Sequence, residues 1–281
     1  MKIAIFGVGF LGSKLIKLIP DKYTVIAADI NPLNPLVHEI DATNRIEVEN
    51  FLINEKPDIV INTIALSSYF TCEKNPDLCK LLNYETARYI SNACKIIGAQ
   101  MIFISSSYVF DGNDGGYKES DMPTSTNQYA QSKILAENVV LELSNSMVIR
   151  LESLYGYSEE KQQIMFGTNT FQKPVQVAFP NILRSPVFVD DVPRIIIGLI
   201  ERKESGIFHI ASSSKLRWLD FLKKLASLTH SEDKILIVDS LDWILDPPHD
   251  STLDSSKINN LGLKTTSVEE AFLKLRISLK N

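Results

Sequence analysis

The junction between Lys2-Ile3-Ala4-Ile5-Phe6 and Gly7-Val8-Gly9-Phe10-Leu11-Gly12 limits what this chain can become more than any other stretch. A short apolar, β-prone run feeds three glycines in G-x-G-x-x-G spacing, and an amphipathic stretch, Gly12 to Ile19, follows as a helix until Pro20 stops it. A strand–loop–helix of this kind suits a bound pyrophosphate. Gly7 allows the tight turn, Gly9 lets backbone approach the diphosphate without a Cβ in the way, and Gly12 lets the helix pack closely on the strand. The helix start offers unpaired N–H groups and a partial positive charge to the phosphates. Phe10 and Leu11 complete the expected cofactor loop. Asp29 closes the next apolar run, Tyr23 to Ala28, where a carboxylate accepts hydrogen bonds from a ribose and repels a 2'-phosphate. No arginine occurs between Ala27 and Leu36. NAD(H) is therefore the expected cofactor and NADP(H) the alternative, with Lys14 just past the loop as the residue able to blunt that preference.

Further along, apolar β-branched runs alternate with helix-like periodicity. Strands are expected at Asp58 to Ile64, Gln100 to Ser105, Met147 to Leu151 and Gly206 to Ala211. Helices are expected at Ile46 to Asn54, Asn75 to Ile97, Tyr129 to Leu143, Asp190 to Glu201, Trp218 to Leu228 and Val268 to Leu279. This alternation implies an α/β fold, a Rossmann-type doubly wound parallel sheet with helices on both faces. Periodicity fades between residues 157 and 183. Residues 1–155 are thus expected to form the nucleotide-binding core and 156–281 mostly a smaller C-terminal substrate-binding lobe, with the strand near 206–211 returning to the core.

Tyr129-Ala130-Gln131-Ser132-Lys133 puts a phenol and an ammonium four residues apart on one helix, so they share a face. A free phenol ionises near 10, too high for proton exchange at neutral pH without help. A neighbouring ammonium favours the phenolate, so Tyr129 can pass a proton to or from a substrate oxygen, while Lys133 also grips the nicotinamide ribose. Ser105-Ser106-Ser107 follows directly on the strand Met101 to Ile104, at a strand C-terminus where open α/β sheets place ligands.

Together these residues resemble the extended short-chain dehydrogenase/reductase superfamily, and within it the dTDP-4-dehydrorhamnose reductases. Lys56-Pro57-Asp58-Ile59-Val60-Ile61-Asn62 is similar to their K-P-D-x-V-I-N strand. Leu82-Asn83 matches the helix asparagine that supports the active site. Ser105 to Gly112 resembles S-T-D-Y-V-F-x-G, and Asn127 to Lys133 with Glu137 resembles N-x-Y-G-x-[ST]-K and its following glutamate. Val148-Ile149-Arg150, Val187 to Val192 and Leu253 to Ile258 carry further likeness. The resemblance implies Ser106, Tyr129 and Lys133 as catalytic residues, Ser106 orienting the substrate oxygen. It implies Asp41 against the adenine amino group and Ala65 along the cofactor. The implied activity is NAD(P)-dependent reduction of a 4-keto nucleotide sugar, as in dTDP-L-rhamnose synthesis, by a homodimer. The same superfamily holds nucleotide-sugar epimerases and dehydratases, and the non-catalytic regulatory subunit of methionine adenosyltransferase. Two departures stand out: the glycine loop is one residue shorter than the superfamily's usual G-x-x-G-x-x-G, and the acidic residue of S-T-D-Y is Ser107 here.

Tyr108 and Arg184 are candidate substrate residues, Arg184 for a diphosphate. His38, His209, His230 and His249 are scattered and read as structural or exposed. Trp218 and Trp243 read as packing residues. The net charge of -5, with no basic run interleaved with aromatics, argues against a nucleic-acid surface. The longest apolar stretches, such as Ile195 to Ile200, are too short to span a bilayer, and the N-terminus has no cleavable leader pattern. Cys72, Cys79 and Cys94 match no zinc spacing and are expected as unpaired small hydrophobes in a reducing, cytoplasmic setting. No metal is expected.

Overall fold

Along β1 (Lys2–Phe6) side chains alternate between two cores, because successive residues of a strand face opposite ways. Ile3 and Ile5 join one apolar cluster, Ala4 and Phe6 the other. A strand buried on both faces must be apolar throughout, which is why the N-terminal run lacks polar alternation. The computed structural model describes residues 1–167, 169–177, 179, 181–238 and 247–280; Trp243 lies outside the described residues.

After β1 come α1 (Phe10–Leu18), β2 (Thr24–Asp29), β3 (His38–Glu39), α2 (Arg45–Glu55) and β4 (Ile59–Asn62). α3 (Tyr69–Lys74), α4 (Pro76–Lys80), a π-helical turn at Leu81–Glu85, α5 (Thr86–Ile97), β5 (Gln100–Ser106), α6 (Gln128–Leu141) and β6 (Met147–Leu151) follow. Beyond these lie β7 (Leu154–Ser158), β8 (Gln163–Phe166), β9 (Asn169–Thr170), β10 (Val175–Val177), β11 (Leu183–Arg184), β12 (Val187–Phe188), α7 (Asp191–Glu201) and β13 (Gly206–Ile210). The last elements are β14 (Leu216–Arg217), α8 (Trp218–Ala226), β15 (Ile235–Ile237), α9 (Ser256–Asn260) and α10 (Val268–Ser278).

The main sheet has seven strands in the order β13-β6-β5-β4-β1-β2-β3, all parallel. The chain winds outward from β1 in both directions, so the strand order reverses between β1 and β4, and the crevice for a ligand opens at their carboxyl ends. Leu11 and Leu15 of α1 and Val192 and Ile196 of α7 cover one face. Phe51 of α2, Ile90 of α5 and Val140 of α6 cover the other. Pairing of β13 with β6 brings the chain beyond residue 155 back to this sheet.

The stretch without clear periodicity holds short strands. β7, β8 and β9 form antiparallel neighbours, and β12 adds in parallel beside β7. β10 pairs with β15 and β11 with β14. Under them Tyr155, Phe166, Phe188, Phe221 and Phe272 make a separate aromatic core with α8 and α10. Ser267 and Glu270 start α10 with a reciprocal capping box.

Two expectations change. The helix expected from Asn75 to Ile97 is interrupted at Leu81–Glu85, where it widens into the π-helical turn. Cys72 and Cys79, expected as unpaired hydrophobes, form a disulfide. On one continuous helix their Cα atoms would stand about 10.5 Å apart. The chain instead breaks at Asn75, between α3 and α4, and brings them to 5.0 Å. Cys94 is free and buried.

Candidate active site

The glycine loop is held in shape from beneath. Gly7 has φ +88, a conformation only glycine adopts readily. Thr63, just past β4, donates its hydroxyl to Gly7 O at 2.7 Å. α1 starts at Phe10, two residues before the sequence pattern suggested, with Gly9 as its cap and no side chain closing that end. A Cβ at Gly12 would lie 1.9 Å from Gly7 O, so close packing forbids any side chain there, whereas one at Gly9 would meet nothing within 4 Å. Open space over Gly9 beside unpaired helix N–H groups fits a dinucleotide diphosphate. Asp29, at the end of β2, accepts Val8 N at 2.6 Å and Asn31 N at 3.0 Å, fixing the acid to the loop. Asp41 accepts both the N–H and the hydroxyl of Thr43, at 2.8 and 2.7 Å. Ala65 is exposed in the loop after β4. Lys14 is engaged elsewhere: it is 4% exposed and pairs with Glu159 at 2.9 Å and Asp190 at 3.0 Å.

Ser106 and Tyr129 come together, and Lys133 anchors on β5 two residues before Ser106. Ser106 ends β5. Asn127 starts α6 by accepting Ala130 N at 2.7 Å, and the helix then places Tyr129, Lys133 and Glu137 on one buried stripe. The Ser106 hydroxyl lies beside the Tyr129 phenol and favours its ionised form. Burial pushes the Tyr129 phenol up to about 12, against the pull of the Ser106 hydroxyl, so it stands above its free value rather than below it as expected from the Lys133 ammonium. Lys133 donates from Nζ to Ile104 O at 2.8 Å and stands 4.4 Å over the Phe103 ring. Burial draws this ammonium down to about 7, while the charge of Glu137 works the other way. Glu137 accepts the Ser105 hydroxyl at 2.5 Å and is clasped by Arg150, Nε at 3.0 Å and Nη2 at 2.7 Å. His209 touches Arg150 and the Tyr117 carbonyl; burial, then Arg150, holds it near 3 and hence neutral.

Asn83, in the π-helical turn, brackets Leu66, accepting its N–H at 2.7 Å and donating to its carbonyl at 3.2 Å, and also donates to Ser132 Oγ at 2.9 Å. The loop after β4 is thereby tied to α6. Tyr108 stands edge-on to Tyr129, ring centroids 6.2 Å apart. Arg184 is buried rather than open: it donates to Tyr108 Oη at 3.2 Å, Leu183 O at 2.8 Å and Pro248 O at 2.9 Å. It reaches the expected substrate region through Tyr108.

Sequence reasoning missed Glu152, which is buried behind Arg184 and Tyr108. It accepts Ser185 N at 2.5 Å and the hydroxyls of Ser153, Ser107 and Ser251 at 3.1, 3.2 and 3.3 Å, with Arg184 Nε at 3.9 Å. Its partners come from four separate segments, so no local pattern announces it. Among the described residues no cluster of three His, Cys, Asp or Glu could hold a metal, and no helix is long and apolar enough to cross a membrane.

A doubly wound parallel sheet with a glycine loop at its switch point and Ser, Tyr and Lys by the next strand end defines a Rossmann-type fold of the extended reductase kind. More narrowly, the chain belongs to the RmlD substrate binding domain family, whose model matches residues 1–276. It is 25% identical to a probable low-salt glycan biosynthesis reductase of Haloferax volcanii, over 93% of this chain and 92% of the relative. It is also 25% identical to bovine methionine adenosyltransferase 2 subunit beta, over 91% of this chain and 80% of that one. The solved dTDP-4-dehydrorhamnose reductase of Bacillus anthracis, in complex with NADP, superposes with a TM-score of 0.84 at 26% identity, covering 98% of each chain.

Proposed function

We propose that the chain is a cytoplasmic NAD(P)-dependent reductase of a 4-keto nucleotide sugar, similar to dTDP-4-dehydrorhamnose reductases, with NAD(H) favoured. The observation that carries this reading is the Ser106 hydroxyl at the end of β5 beside the buried Tyr129 phenol, with Lys133 one turn along α6. A bound nicotinamide supplies the hydride. Tyr129 supplies the proton to the substrate oxygen; its raised pKa of about 12 keeps it protonated at neutral pH, as a donor must be. Ser106 orients that oxygen. Lys133 has spent one N–H on Ile104 O, which leaves two for the nicotinamide ribose and for stabilising phenolate after proton transfer. Gly7, Gly9, Phe10, Leu11 and Gly12 take the diphosphate, Asp29 the ribose, Asp41 the adenine amino group and Ala65 the adjoining cofactor surface. Tyr108 lies against the sugar, held there by Arg184. Preference for NAD rests on Asp29 at the ribose and on Lys14 being bound to Glu159 and Asp190. Exposed Ile96, Leu135 and Leu141 on α5 and α6 support a homodimer through these helices.

Tyr129→Phe is the direct test. With NADH and a dTDP-4-keto-6-deoxy sugar, turnover should drop at least about a hundredfold while NADH affinity stays within about twofold; an undiminished rate overturns the assignment. Likeness to the methionine adenosyltransferase beta subunit supports a second reading, a cofactor-binding regulatory subunit. That reading predicts NADH binding, no oxidation with any 4-keto nucleotide sugar, and a stable partner. An epimerase or dehydratase would instead purify with NAD bound.

A further inference from the structure

The disulfide between Cys72 and Cys79 sits where the frame around Tyr129 is assembled. Both cysteines are fully buried and share one apolar cluster with Tyr129, against which Leu66, Tyr69 and Tyr108 pack. The helices it joins have six and five residues, too short to keep their geometry without tertiary support. Several contacts lead from this unit to the catalytic helix. Glu73 Oε1 accepts Gln128 N at 2.8 Å, one residue before Tyr129. Cys79 Sγ lies 3.4 Å from Ser132 Oγ, three residues after it. Asn83 donates to Cys79 Sγ at 3.3 Å and to Ser132 Oγ at 2.9 Å while bracketing Leu66. Cys72 Sγ lies 3.3 Å from Leu66 O. The bridge thus touches each piece that positions the phenol: the loop after β4, the π-helical turn and the first turns of α6.

We propose that Cys72–Cys79 is a reversible redox site whose oxidised form holds Tyr129 in its working position, and whose reduction by a dithiol slackens that frame. In the reduction, one thiolate of the dithiol attacks a sulfur of the bridge and breaks the S–S bond, giving a mixed disulfide. The second thiol of the reductant displaces the protein sulfur. The reductant leaves as a cyclic disulfide, and two electrons and two protons remain on Cys72 and Cys79 as thiols. A small-molecule disulfide of the glutathione class reverses the exchange. The sulfurs become reachable when α3 and α4 open locally. Cys94 is separate: burial pushes its thiol up to about 12, so it does not compete in exchange. The effect on turnover rests on the reductase reading above; the bridge and its effect on local order do not.

The test compares protein from oxidising buffer with protein treated with dithiothreitol and desalted without air. In denaturant the first should show one titratable thiol and the second all three cysteines of the chain. Amide hydrogen exchange should quicken in residues 66–83 and 127–133 on reduction, and turnover should fall at least threefold and return with oxidised glutathione. In Cys72→Ser both readouts should sit at the reduced level whatever the treatment. Faster exchange with no turnover in either state upholds the redox site while rejecting the reductase reading. Three thiols in protein from oxidising buffer, or equal exchange and equal rates in the two states, overturns the proposal.

Discussion

Replacing Lys133 by Met exchanges a buried ammonium for an apolar chain of similar length and should stabilise the protein most in acid. Lys133 is 2% exposed and its pKa falls from 10.5 to about 7 on folding. Below pH 7 both folded and unfolded wild type carry the proton, so the folded state bears the whole cost of burying the charge. Between pH 7 and 10 the unfolded chain still binds a proton that the folded one has lost, so wild-type stability rises with pH. Integrated over that shift, the cost is about 5 kcal/mol at pH 6 and about 2 kcal/mol at pH 9. Loss of the bond to Ile104 O and altered packing over Phe103 offset part of the gain equally at every pH. The advantage of Lys133→Met over wild type should therefore shrink by about 2 to 3 kcal/mol between pH 6 and pH 9, whatever its absolute size. Urea unfolding of both proteins at pH 6, 7.5 and 9 measures this directly. A difference that stays constant, or widens with pH, refutes the account of a desolvated ammonium. On the proposed mechanism, turnover of the variant should meanwhile be lower by at least about a hundredfold, because Lys133 is there assigned to the ribose and to the phenolate of Tyr129.

Gly12→Ala would drive a methyl into Gly7 O and should weaken NADH binding at least tenfold in a fluorescence titration. Asp29→Ser removes the acid that accepts Val8 N, and steady-state assays should show the ratio of NADH to NADPH efficiency falling at least tenfold. Arg150→Met strands Glu137 as a buried unpaired charge beside the Ser105 hydroxyl; thermal and urea unfolding should show a loss of about 3 to 5 kcal/mol.

How far the sequence alone reached depends on whether a feature was local. The switch from β-branched run to glycine loop to helix lies within residues 2–18, so the element types can be read from spacing. Tyr129 and Lys133 are also a local pair, because four residues is close to one helical turn. Glu152 was invisible for the opposite reason: its partners Ser107, Ser185 and Ser251 are brought together only by the finished fold. β9 and β11 are two residues each, too short to impose a period of two. The Cys72–Cys79 bridge depends on the break at Asn75, which a continuous helical pattern from Asn75 onward conceals. Arg184 was identified as a residue of the region, but its burial against Pro248 comes from a segment far along the chain.

That distant segment bears on how the protein is made. His249 O takes Leu183 N, Asp250 N reaches back to Gly112 O, and Thr252 and Asp254 both bind the backbone of Tyr117. Residues 249–254 thus lace together parts of the chain that leave the ribosome long before them. A nascent polypeptide has the glycine loop and all seven parallel strands before residue 211 emerges, yet the surroundings of Tyr108 stay unlaced until residues 249–254 follow.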